Sequence, residues 1–178
     1  MLCSSEGISP ALDPTPAGGA ALDASSGSFP AVYKNADSII NGEISTVVPD
    51  GSGGWYIGGS FSKVGSVERK NIARVRADGS PYDWNPNANG SVNAIIPMGN
   101  TIYIGGDFSQ VDGQARDYIA AVEAGTGNVS AWNPDADELV IALAASGGTI
   151  YAGGGFTSIG GQSRTGIAAL NASTGEAY

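Results

Sequence analysis

The run Tyr56-Ile57-Gly58-Gly59-Ser60-Phe61 returns as Tyr103-Ile104-Gly105-Gly106-Asp107-Phe108, and again as Tyr151-Ala152-Gly153-Gly154-Gly155-Phe156. The glycine pairs stand 47 and then 48 residues apart. Arg69, Arg116 and Arg164 keep the same spacing, as do Asn71-Ile72-Ala73, Tyr118-Ile119-Ala120 and Gly166-Ile167-Ala168. Trp84-Asn85-Pro86 and Trp132-Asn133-Pro134 lie 48 apart. Independent landmarks that hold one phase define an internal repeat, and a repeat of this length decides the architecture.

The middle unit reads as four short strands, 91–96, 101–104, 118–122 and 128–132. Met98-Gly99-Asn100 marks a turn between the first two, and Gly125-Thr126-Gly127 a turn between the last two. The third strand is apolar on both faces, with Ala120 and Val122 on one and Ile119 and Ala121 on the other, so it is expected to be buried on both. No stretch sustains a 3.6-residue apolar period, and glycine interrupts every candidate helix. The sequence therefore predicts an all-β fold: β-propeller blades of four antiparallel strands, in about three repeats of 47–48 residues.

Counting units predicts an open or partial ring. Residues 1–19, rich in Pro, Gly and Ala, read as a flexible segment. Residues 20–178 read as a partial propeller: a half blade 20–37, a blade 38–89, a blade 90–137 and an incomplete blade 138–178 whose fourth strand is missing. Propellers commonly close with 4–8 blades, so three imply either a piece of a longer protein or a homodimer whose two halves complete one ring.

Composition narrows the chemistry. Seventeen acids against eight bases give a net charge of −9, which makes nucleic acid a poor partner. There is no histidine, the commonest general base and metal ligand, and the single cysteine, Cys3, forms no internal disulfide. Leu2-Cys3 faintly resembles a lipoprotein signal end, and lipid anchoring at Cys3 stays open. No apolar run approaches the ~18–20 residues of a membrane helix, so no membrane span is expected.

Each candidate site residue has a structural reading beside its functional one. Arg69, Arg116 and Arg164 could ring an anionic ligand, but a role repeated in every unit favours hydrogen bonds to loop carbonyls or to a neighbouring blade's carboxylate. The pairs Gly58-Gly59, Gly105-Gly106 and Gly153-Gly154 lack the helix and lysine of a phosphate loop, and suit close packing or a bulge. Trp84 and Trp132 could stack on sugars, yet as repeated residues they read as packing anchors. Asp135, Asp137 and Glu138 form the one candidate Ca²⁺ cluster, although they align with the polar turn 87–90. The sequons at Asn89, Asn128 and Asn171 ignore the repeat. No catalytic residue and no other cofactor is indicated.

The run 102–109 with Val111-Asp112-Gly113-Gln114 and Arg116, and the run 159–164 with Ala172-Ser173-Thr174-Gly175, resemble the bacterial extracellular propeller repeat sometimes called the delta-sixty repeat. The stretch 84–90 fits the same pattern. The first unit departs at Gly65-Ser66-Val67-Glu68, so its turn is expected to differ. The resemblance implies a secreted or cell-surface module with no assigned catalytic residues. The expected function is a non-catalytic binding or structural scaffold with a protein or carbohydrate ligand. The alternative is a propeller enzyme acting on glycans, with its catalytic carboxylates outside this chain.

Overall fold

The computed structural model describes residues 40–178. The expected flexible segment 1–19, the expected half blade 20–37 and Cys3 lie outside the described residues. Within them every regular element is a strand, and no helix is long and apolar enough to cross a membrane.

Three antiparallel blades follow one another along the described residues, and in the second and third the short hairpin is a separate two-stranded sheet. Blade I pairs β1 (Ile40–Pro49) with β2 (Trp55–Val64), and β2 with β3 (Val67–Glu68) and β4 (Ile72–Val75). Blade II runs β5 (Ser91–Met98), β6 (Thr101–Asp107) and β9 (Ile119–Glu123), with the hairpin β7 (Gln110–Val111) and β8 (Gln114–Ala115) between β6 and β9. Blade III repeats this as β10 (Val140–Ser146), β11 (Thr149–Gly154) and β14 (Ile167–Asn171), with the hairpin β12 (Ser158–Ile159) and β13 (Gln162–Ser163). The all-β, partial-propeller reading holds.

Two details differ from the four-strand expectation. The fourth piece of each blade is a single bridge: Val75 to Pro81, Val122 to Val129 and Leu170 to Ala177. One backbone bond flanks each bridge on either side, Arg76 N–H to Ser80 and Tyr82 N–H to Arg74 in blade I, and Pro81 takes a position whose N–H the pairing does not use. The reading of 138–178 as a blade without its fourth strand also needs correcting. Its fourth piece is present, since Asn171 N–H donates to the Glu176 carbonyl at 2.9 Å and Tyr178 N–H to Ala169 at 3.0 Å. Those bonds match Glu123 to Asn128 and Ser130 to Ala121 in blade II.

Backbone chemistry sets the hairpin turns. Asp112 and Gly113, and Gly160 and Gly161, all have positive φ, the pattern of a type I′ turn. In blade I Val64 pairs with Val67, and only Gly65 of the two turn residues has positive φ, the type II′ pattern. The departure at 65–68 thus changes the turn type.

Alternation within one strand feeds two cores. Ile102 and Ile104 of β6 pack with Tyr56, Ile72, Trp84 and Val92 between blades I and II. Tyr103 of the same strand packs with Ile119, Trp132, Val140 and Ile150 between blades II and III. A third cluster, Ile40, Ile57, Phe61, Val64, Ala73 and Val75, lies on the far face of blade I.

Candidate functional site

The first glycine of each pair, at Gly58 and Gly105, is where one blade admits the next. A Cβ on Gly58 would meet Val92 Cγ1 at 2.8 Å, and one on Gly105 would meet Val140 Cγ1 at 2.6 Å. Their neighbours Gly59, Gly106 and Gly154 leave no room for a Cβ against the Glu43, Ser91 and Leu139 carbonyls. Bulges interrupt the first strand pair at Ile44/Thr46, Val92/Ala94 and Val140/Ala142, beside these contacts. No helix follows the glycines, so the N–H cradle of a phosphate loop is not built here.

The repeated arginines each donate within their own blade, while the buried Nε of Arg69 and of Arg116 makes no hydrogen bond. Arg69 donates to the Glu68 carbonyl at 2.8 Å and to Tyr82 at 2.8 Å. Arg116 donates to Ala115 at 2.6 Å and Ser130 at 2.7 Å, and Arg164 to Ser163 at 2.8 Å and to Tyr178. Each guanidinium ties the edge of its hairpin to the outer piece of its blade. Its planar fork suits carbonyls on two segments in a way that a lysine does not.

The tryptophans sit between blades. Trp84 is buried edge-on to Tyr56, at 5.1 Å between ring centroids, and donates Nε1–H to the Glu123 carbonyl at 2.9 Å. Trp132 repeats this with Tyr103 at 4.9 Å and Asn171 at 3.0 Å. The buried Tyr103 hydroxyl donates to the Ala172 carbonyl at 2.7 Å, and burial pushes its phenol pKa up. Stacking on a sugar would need these faces open.

Asp135, Asp137 and Glu138 do not converge. Both oxygens of Asp137 are taken: Oδ1 by the Thr157 and Ser158 N–H groups at 2.7 and 2.9 Å, Oδ2 by the Thr157 hydroxyl at 2.6 Å. The Thr157 hydroxyl, with the Ser158 and Thr157 N–H groups, holds the Asp137 carboxyl below the ordinary range. Glu138 bonds the neighbouring Leu139 N–H, and Asp135 occupies a left-handed turn position at φ 56°. Among the described residues no group of three or more His, Cys, Asp or Glu side chains is placed to hold a metal ion.

Asp137 in fact belongs to a clamp that sequence reasoning missed. Asn89 accepts from the Ser109 and Gln110 N–H groups, each at 2.9 Å, and Asn41 from Ser62 and Lys63 at 3.0 and 2.6 Å. The signal was available: Asn41, Asn89 and Asp137 stand 48 apart.

Among the described residues, blade I alone carries an Asp–Arg ion pair. Asp50, in the turn between β1 and β2, takes Ser52 and Gly54 N–H groups at 2.7 and 2.8 Å and the Arg74 guanidinium at 2.7 Å. Burial pushes its carboxyl up, but the Ser52, Arg74 and Gly54 bonds outweigh it and hold it far below the usual range. Arg74 and Arg76 lie over the Tyr82 ring at 4.4 and 4.2 Å from its centroid. The equivalent positions of the other blades hold Ala121 with Glu123, and Ala169 with Asn171.

Blades I and III match a β-propeller family. Residues 49–81 and 146–175 are similar to the family described as Domain of unknown function (DUF5122) beta-propeller. Both matched stretches cover the second strand, the short hairpin and the third strand of a blade, together with Arg69 in one and Arg164 in the other. No curated protein matches the chain.

Proposed function

We propose that this chain is a non-catalytic β-propeller module of a secreted or cell-surface bacterial protein, and that it serves as a binding or structural scaffold for a protein or carbohydrate partner. The observation that carries this reading is where the repeated polar groups go. Arg69, Arg116, Arg164, Trp84 and Trp132 all donate to backbone carbonyls and thereby hold strands and blades together. Side chains committed in this way build a rigid frame, and recognition is left to the loops. The resemblance to the bacterial extracellular propeller repeat supports the location.

A polysaccharide panel tests the proposal, with binding and new reducing ends measured in the same samples. The expected outcome is no release of reducing ends at any incubation time. Turnover of any one glycan overturns the proposal in favour of a propeller enzyme acting on glycans.

A further inference from the structure

The three blades share one design, yet one of the corresponding faces is open. Ile72, Ile119 and Ile167 occupy the same repeat position; the first two are 0% exposed and Ile167 is 69% exposed. Tyr56 and Tyr103 are each 3% exposed, whereas Tyr151 is 43% exposed. The glycines agree. A Cβ at Gly58 or Gly105 would strike the next blade's valine, while one at Gly153 would meet nothing nearer than Ala142 Cβ and the Gly166 carbonyl, at 3.9 Å. At the bulge, where blade II has Asn93, blade III has Ile141, 57% exposed. With Ala142, Ala144 and Ala169, these residues make an apolar face free of charged side chains on a chain of net charge −9. Apolar area of this kind marks an interaction site.

The molecule itself shows twice what covers such a face. Val92 lies over Gly58 and Val140 over Gly105, with Trp84 edge-on to Tyr56 and Trp132 edge-on to Tyr103. We infer that the outer face of blade III docks one further blade of this same repeat, with a β-branched side chain at the Val92/Val140 position and a tryptophan at the Trp84/Trp132 position. The valine fills the groove above Gly153, and the indole meets the edge of Tyr151 and donates its N–H across the joint. This holds whether or not the loops bind a ligand, so its failure and that of the scaffold proposal are read separately.

The test appends an in-phase copy of residues 131–178 after Tyr178, and places Gly153→Val in both the extended and the original chain. Melting temperature and sedimentation are measured for all four. In repeat proteins each added neighbour interface raises stability. The extended chain is expected to melt at least about 4 °C higher, the shift that about 1–2 kcal/mol produces at this size. Gly153→Val should remove most of that gain and leave the original chain unchanged, because the added methyl groups meet a neighbour only when a blade is docked. An extended chain that melts no higher overturns the inference. So does Gly153→Val lowering both chains equally, which would place residues 1–39 on the face. An original chain that dimerises through this face, and loses the dimer with Gly153→Val, assigns it to a second copy instead.

Discussion

A single indole does several jobs at each joint. Trp132 lies against Tyr103, donates to the Asn171 carbonyl at 3.0 Å and packs in the core with Ala136 and Val140. Trp132→Ala is therefore expected to destabilise the chain by about 3–5 kcal/mol, the usual range for a buried aromatic. Asp135→Ala, three residues on, should cost only about 1 kcal/mol, since it gives up a left-handed turn residue at φ 56° and little else. Denaturant melts of the two variants check this, and equal midpoints would contradict it. The importance of the tryptophan was legible, because a large aromatic recurring in phase is seldom free of the core. Its partners were not. Tyr103 and Asn171 come to it from two other strands, and no local pattern names them.

The β1–β2 hairpin shows how an element departs from the repeat. In blades II and III this turn has two residues, Gly99-Asn100 and Gly147-Gly148, whereas in blade I five separate Pro49 from Trp55. A longer turn costs more to order, and Asp50 offsets that by gathering Ser52, Gly54 and Arg74. The Asp50 carboxyl is held below its ordinary value, so its contribution is fully present above the unfolded value of ~3.9 and is lost as pH falls below it. Asp50→Asn should cost roughly 2 kcal/mol at neutral pH. That is less than the ~3–5 kcal/mol of a fully buried pair, because the Arg74 side chain keeps one-fifth of its surface in solvent. The gap between wild type and Asp50→Asn should stay constant above about pH 5 and narrow below about pH 4. Stability curves at a series of pH values measure it, and a gap that widens on acidification would refute the assignment. The longer turn was visible in the sequence. The ion pair was not, since Arg74 lies 24 residues away and arrives only when β4 pairs with β2.

At the scale of the molecule, one side chain in one local context has different worth in different blades. Ile72→Ala and Ile119→Ala are each expected to cost about 2–5 kcal/mol. Ile167→Ala, at the same repeat position, should stay within about 0.5 kcal/mol, because the side chain is already largely in water. Chemical denaturation of the three variants decides it, and three equal losses would mean that the face of blade III is covered. The sequence by itself determined the period, the strand-rich class, the turns and the residues on which every blade depends. These are properties of spacing, of apolar alternation and of backbone conformations open to glycine, all set within a few tens of residues. Only the tertiary structure decided that the fourth strand shrinks to one bridge, that Asp137 closes a clamp, and that Tyr151 and Ile167 face outward. Each of these depends on which blade lies against which, and burial belongs to a pair of surfaces rather than to either sequence alone.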